Sequence, residues 1–193
     1  MPTPWGAPTF EIDGIKMLPT ARESPFEDAR RKVELVGVAH KRVLDTCGGL
    51  GYFAAWCLRL GARQVLSVEK NPSVLWLREH NPWSPQPAPA LSVVNASIDT
   101  HIESLSAASF DVVLHDPPRF GIAGELYSRQ FYAQLARVMT PAGTLFHYTG
   151  SPNKLTSGRD VQGEVLKRLQ DCGFQARREM DGVLARSVLK PIR

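Results

Sequence analysis

The stretch from Val43 to Asn71, VLDTCGGLGYFAAWCLRLGARQVLSVEKN, constrains the fold of this chain more than any other. It reads as strand, glycine loop, helix and strand. Val43 and Leu44 close a short apolar run, and Asp45 follows it. Gly48, Gly49 and Gly51 then form a bend that residues without a Cβ take cheaply. Tyr52 to Leu60 has helical patterning, and Gly61 stops it. Val65 to Val68 is apolar again, with Glu69 at its carboxyl end. This is half of a doubly wound sheet, and such sheets bind ligands outside the carboxyl ends of their strands.

That placement has chemical consequences. Gly49 and Gly51 let a ligand approach the backbone closely, and the N–H groups at the following helix start favour negative charge. Glu69, 18 residues after Gly51, emerges beside the loop, where its two oxygens can accept both hydroxyls of a ribose. Gly49, Gly51 and Ala54 also satisfy the G-x-G-x-x-A spacing of a dinucleotide fold, the first rival reading. Against it, Asp45-Thr46-Cys47-Gly48 widens the loop. An aspartate there repels a pyrophosphate and attracts a cationic amine.

At 193 residues, 43% of them hydrophobic, the chain is long enough to bury well over half of its unfolded surface around one core. No run approaches the roughly 18 apolar residues of a membrane span. The polar, proline-rich N-terminus is unlike a secretory signal. Cys47, Cys57 and Cys172 lack metal-ligand spacing and form an odd set, which fits a reducing cytoplasm. The net charge of +4 leans only slightly towards an anionic partner.

Ahead of the glycine-loop unit, apolar and polar residues alternate through Thr9–Leu18 on both sides of Asp13-Gly14, which predicts a β-hairpin. Residues 1–23 therefore read as an extension, and 24–193 as the main domain. Ser24 caps a helix with Pro25 at its first position and Glu27 completing a capping box; it runs to Val36 and stops at Gly37. Another helix follows Asn71-Pro72 and reaches His80. The tract from Asn81 to Ala90 holds four prolines and is irregular; its Trp83 is a candidate cover for a ligand pocket or a protein neighbour. Leu91–Val94 is the next strand, ending at Asn95-Ala96-Ser97. Val112–Leu114 leads into His115-Asp116-Pro117-Pro118-Arg119-Phe120. Glu125–Met139 reads as one helix, Pro141-Ala142-Gly143 as a turn, and Thr144–Tyr148 as a strand. A polar loop carrying Lys154 and Arg159 precedes a helix over Val161–Cys172. Phe174–Glu179 and Val183–Leu189 close the chain as an antiparallel pair.

Together, the glycine loop resembles the D-x-x-x-G-x-G motif of class I S-adenosylmethionine (SAM)-dependent methyltransferases, and the resemblance runs over residues 24–190. HDPPRF resembles the Asp/Asn-Pro-Pro-aromatic motif of members acting on nitrogens of nucleic-acid bases or of protein glutamine. Its DPP-basic-Phe spelling is nearest to a group of ribosomal RNA methyltransferases. Over the whole chain, the DPPRF and HYTG strings are similar to a group of archaeal methyltransferases. The resemblance implies an α/β, doubly wound, Rossmann-like seven-stranded sheet with an antiparallel strand at the C-terminal end, preceded here by the β-hairpin. It implies SAM as cofactor and S-adenosylhomocysteine as product. Asp45, Cys47, Gly48, Gly49, Gly51, Glu69, Lys70, Asn95, Ala96, Ser97 and Asp116 then line the SAM site. Asp116 and the carbonyl of Pro117 orient the amine, and Phe120 stacks on a planar acceptor. Arg119 stands where the motif carries its aromatic residue; with Lys154 and Arg159 it is assigned to the substrate.

The expected reaction is methylation of a nitrogen of an RNA base. A small-molecule methyltransferase is the alternative, as is an aminopropyl transferase of the polyamine type, which also carries a hairpin ahead of a similar sheet. A non-catalytic SAM-binding subunit is a further reading, and a homodimer is compatible with any of them. Cysteine-dependent pyrimidine methylation is disfavoured, because no cysteine falls between Cys57 and Cys172. His115 and His147 are candidate bases or packed histidines, and Asp160 a candidate helix cap. Lys16 and Thr20 are weaker substrate candidates than packing residues.

Overall fold

The computed structural model describes residues 1–18, 21, 23–150 and 160–188. Lys154, Arg159, Thr20 and Leu189 lie outside the described residues. The short apolar runs form strands, and the turn signals at Asp13-Gly14, Gly37 and Gly61 fall between elements. The hairpin strands are β1 (Glu11–Ile12) and β2 (Ile15–Lys16). Asp13 and Gly14 between them have φ of 49° and 75°, the left-handed pair that a two-residue turn requires. Helix α1 (Pro25–Val36) begins at Ser24, whose side chain accepts from the Phe26 N–H. Glu27 pairs with Arg30 at 2.7 Å. Next come β3 (Arg42–Asp45), α2 (Tyr52–Arg59), β4 (Gln64–Glu69), α3 (Pro72–Glu79) and β5 (Leu91–Asn95). The second half holds α4 (Ile98–Ser104), β6 (Phe110–His115), α5 (Arg129–Val138), β7 (Met139–Tyr148), α6 (Val161–Asp171), β8 (Phe174–Glu179) and β9 (Gly182–Ser187).

The main sheet has seven strands in the order β5-β4-β3-β6-β7-β9-β8. The strands from β5 to β7 run parallel, and β9 inserts antiparallel between β7 and β8. The chain winds outward from β3 to β5, then crosses to β6 on the other side of β3. That reversal puts the carboxyl ends of β3 and β6 at a switch point, where loops diverge and leave a crevice.

Strand alternation divides the core in two. Val43, Val65, Val112, Leu114 and Phe146 face α1 and α2. Leu44, Val68, Val113, Leu145 and Val183 face the layer that includes α5 and α6. The hairpin segment joins the first layer: Ala7 and Phe10 are buried there, and Tyr52 donates its hydroxyl to the Pro8 carbonyl at 2.8 Å. Trp83 meets the edge of Phe26 at 5.1 Å between ring centroids. It therefore lies over the joint between the N-terminal segment and α1.

Three elements differ from the sequence reading. The segment Glu125–Met139 is two pieces, a 3-10 turn over Gly124–Tyr127 and then α5. Ser128 separates them, with its side chain accepting from the Phe131 N–H at 3.1 Å. Met139 and Pro141-Ala142-Gly143 lie within β7, where the register against β6 shifts and Ala142 takes φ of 63°. Helix α4 was not expected, since only Ile98 and Ile102 mark its inner face. Among the described residues no helix is long and apolar enough to cross a membrane.

Leu135 is fully buried between α5 and the sheet. Leu135→Ala should lower unfolding free energy by about 2–5 kcal/mol in urea titration, with helical circular dichroism retained at low denaturant.

Candidate functional site

The glycine loop is held shut by its own hydrogen bonds. Gly48 N–H donates to the Val68 carbonyl at 2.8 Å and Gly51 N–H to the Gly48 carbonyl at 2.7 Å. Gly49 N–H donates to Glu69 Oε2 at 2.9 Å, and Asn71 N–H to Glu69 Oε1 at 2.8 Å. All three glycine N–H groups are therefore spent inside the protein. A dinucleotide site needs such groups for its pyrophosphate, so the G-x-G-x-x-A spacing lacks the chemistry that goes with it. Gly51 begins α2 with φ of 78°, and a Cβ there would lie 2.6 Å from Arg78 Nε.

Several predicted residues converge on this loop. Asn95 donates its amide to the carbonyls of Glu69 and Lys70, at 2.8 and 3.0 Å. Ala96 N–H adds a bond to the Glu69 carbonyl at 3.2 Å. Glu69, Asn95 and Ala96 thus form one rim across the ends of β4 and β5, with Ser97 opening α4 beside them. Each Glu69 oxygen retains a second lone pair for a ligand hydroxyl. Lys70 is exposed. Burial pushes the Cys47 thiol well above its ordinary 9.0, so it is neutral.

Asp45 is fully buried. Its Oδ2 accepts the Ser67 hydroxyl at 2.8 Å, and Arg78 Nη1 donates to the same Ser67 oxygen at 2.9 Å. Its Oδ1 has no hydrogen-bond partner. Burial raises the Asp45 pKa to about 6, against the lowering pull of the Arg78 charge, the Ser67 bond and the Cys47 backbone N–H, with Glu69 adding to the rise. A buried acceptor left unmade is costly, and a donor cation arriving over the loop would satisfy it.

At the end of β6 stands Asp116, with part of its surface open to the crevice. The surrounding protein desolvates it and raises its pKa to about 7, although Lys32 opposes the shift while Asp28, Asp181 and Asp45 add to it. Lys32 is a buried ammonium on α1, 2.6 Å from Asp28, 3.9 Å from Asp181 and 3.9 Å above the Tyr148 ring. Tyr127 donates its hydroxyl to the Pro118 carbonyl at 3.1 Å and so holds the proline pair. Phe120 lies edge-on to Tyr127 at 5.3 Å, with the Arg168 guanidinium 5.7 Å from its ring. Arg119 is exposed beside the motif.

His115 and His147 lie behind this motif, both fully buried. His115 Nε2 faces the Leu126 carbonyl at 3.1 Å, so it carries the proton, and Nδ1 accepts from Thr46 at 2.7 Å. His147 Nδ1 faces the Tyr148 carbonyl at 2.9 Å, leaving Nε2 to accept from Tyr132 at 2.9 Å. Burial lowers the His115 pKa to about 4, and burial together with the neighbouring His115 holds His147 well below its ordinary value. Both are neutral packed histidines with every ring nitrogen engaged, which removes them as bases. Asp160 accepts from the Gly163 N–H at 3.0 Å and caps α6.

Two contributors escaped the sequence reading, Lys32 and Arg78. Each is a basic residue four positions from a side chain it accompanies inward, Asp28 for Lys32 and Val74 for Arg78. That spacing is the one signal available, and solvent-facing helices share it.

No family model matches the chain. An uncharacterised protein of Methanocaldococcus jannaschii is 42% identical over 186 residues, covering 95% of this chain and 64% of that protein. Polyamine aminopropyltransferase 2 of Streptomyces coelicolor is 34% identical over 131 residues, 60% of this chain and 22% of that protein. The chain thus spans 64% and 22% of the length of these two curated relatives. Among solved structures, a spermidine synthase from Thermotoga maritima aligns with a TM-score of 0.71 at 16% identity, covering 95% of this chain and 67% of that one. An S-adenosylmethionine-dependent methyltransferase from Mesorhizobium loti gives 0.59 at 17%, covering 79% and 81%. These structures share the Rossmann-like fold with the chain.

Tyr132→Phe should leave His147 Nε2 as a buried acceptor without a donor. A loss of about 1–3 kcal/mol in urea unfolding is expected.

Proposed function

We propose that this chain transfers a methyl group from SAM to an amine nitrogen. The observation that carries the reading is Asp45, a fully buried carboxylate with one oxygen unmatched, beneath a loop whose glycine N–H groups are already engaged. A ligand suited to that place brings a cation and no phosphate. SAM fits: its ammonium suits Asp45, its ribose the free lone pairs of Glu69, and its adenine the rim of Asn95, Ala96 and Ser97. When bound, SAM supplies a methyl carbon activated by the adjacent sulfonium.

The remaining chemistry belongs to Asp116 and Pro117. The Asp116 carboxylate and the Pro117 carbonyl accept the hydrogens of an incoming amine and turn its lone pair towards the reacting carbon. The nitrogen sheds a proton as it gains a methyl group, and a carboxylate with a pKa near 7 is matched to receive it. An exocyclic amine of an RNA base is the acceptor favoured by the likeness of HDPPRF to base-modifying enzymes.

A second reading is aminopropyl transfer to a polyamine. It is favoured by Asp28, Asp116 and Asp181, three carboxylates grouped about the single ammonium of Lys32. The Arg31 guanidinium, 3.8 Å from Asp28, offsets part of this charge, and the remaining negative charge suits a cationic acceptor. The names of the Streptomyces relative and the Thermotoga structure carry the same activity.

Incubation of the full chain with methyl-labelled SAM, or with its decarboxylated form, against separate RNA, DNA, protein and polyamine pools tests both. Methyl label entering RNA, abolished by Asp116→Asn with SAM binding retained, is the expected result. Turnover with the decarboxylated form alone assigns the second reading, and binding of neither donor sinks both.

The pH dependence follows from Asp116. Its carboxylate form accumulates above about 7, so the single-turnover rate should climb with pH through that value. Because the folded pKa is raised, ionisation of Asp116 costs the ligand-free protein stability as pH rises above its ordinary 3.8. Asp116→Asn should therefore melt above wild type at pH 8, with the difference vanishing below pH 4.

A further inference from the structure

Arg78 has no place in the chemistry above, yet it is nearly sequestered from solvent at 6% exposure directly under the loop. A Cβ on Gly48 would fall 2.4 Å from Ser67 Oγ and 2.9 Å from Arg78 Nη1. A Cβ on Gly51 would fall 2.6 Å from Arg78 Nε and 2.7 Å from Cζ. The planar guanidinium therefore occupies the space those two glycines vacate. Its Nη1 donates to Ser67, which donates in turn to Asp45 Oδ2. Its Nη2 has no partner, so its position is set by packing beneath the loop and by the single bond to Ser67.

We propose that Arg78 is a positioning residue for Asp45 and the glycine loop, acting on the bound ligand through the Arg78–Ser67–Asp45 chain. The guanidinium fixes the bend from below, and Ser67 fixes the rotamer of Asp45 so that Oδ1 is directed away from the Ser67 bond. Arg78 also balances charge. Asp45 is faced by Arg78 from α3, by Glu69 from the end of β4, by Asp116 from the end of β6, and by the neutral thiols of Cys47 and Cys57. Arg78 is the cation in that set. Without it, burial and two neighbouring carboxylates act together to neutralise Asp45, and a neutral acid holds an ammonium poorly. Lysine at this position keeps the charge but loses the planar fork that fits below two glycines.

This role rests on the SAM reading for its effect on the ligand, but not for its effect on Asp45. The test accordingly has two arms on the full-length chain. In the first, the Asp45 carboxyl carbon is titrated by ¹³C NMR without ligand in wild type, Arg78→Met, Arg78→Lys and Ser67→Ala. Wild type should titrate near 6. Arg78→Met should move the midpoint up by at least about one pH unit, with Arg78→Lys returning most of it. Ser67→Ala, which keeps the charge, should move it less and in the same direction. If Arg78→Met does not give a folded amide spectrum, the Ser67→Ala and Arg78→Lys titrations carry the decision. In the second arm, calorimetry measures SAM binding between pH 5 and 8. Arg78→Met should weaken binding roughly tenfold at pH 7 and shift its acidic limit upward with the Asp45 midpoint. An Asp45 midpoint that stays put in a folded Arg78→Met or Ser67→Ala protein overturns the proposal. Wild type that takes up no SAM while its Asp45 still responds to Arg78 overturns the SAM reading and leaves the positioning role standing.

Discussion

The Glu69 carboxylate is the joint on which this architecture turns. One oxygen accepts the Gly49 N–H and the other the Asn71 N–H, so the loop after β3 and the start of α3 share a single side chain. Charge-assisted bonds of this kind are about twice as strong as neutral ones. Asn95 then secures the backbone of Glu69 and Lys70 from the neighbouring strand. Three strand ends are thereby held in register at the place where the winding reverses. Loosening Glu69 would release the loop, the helix and the rim at once.

The second feature of the site is its management of buried charge. Asp45 and Asp116 are each pushed up by desolvation, and each has one buried cation that opposes the shift. Arg78 serves the first from α3, and Lys32 serves the second from α1. Isolated buried charges are expensive, so such pairs belong together or not at all. The two histidines behind the proline pair take the opposite course and stay neutral, each ring nitrogen matched to one carbonyl or hydroxyl. The four ring nitrogens are thus satisfied without any charge.

Much of this was legible in the residues. Alternating apolar runs located β3, β4, β5 and β6, and Gly37, Gly61 and Gly173 marked where helices stop, because backbone period and left-handed turns depend on local chemistry. The loop and Asp116 were legible for the same reason: motif residues sit at strand ends whatever surrounds them. What stayed hidden depends on tertiary contact. Helix α4 shows two inward isoleucines, too few for a period. The break at Ser128 looks helical until its side chain is seen to cap α5. Pro141-Ala142-Gly143 has turn composition and keeps it, with Ala142 left-handed, but it lies between Met139 and Thr144, which both pair with β6, so the turn is a bulge inside β7. Phe120 also lies against Tyr127, a contact that no linear spacing reveals.

The segment around Phe10 has a consequence for how the chain is handled. Its ring comes within 3.8 Å of where a Cβ on Gly49 would stand, and the Pro8 carbonyl is tied to Tyr52 in the first turn of α2. The segment from Ala7 to Phe10 is thus a shingle laid on the loop. Trimming it would bare the aromatic joint of Phe26, Tyr52 and Trp83 and unroof the bend.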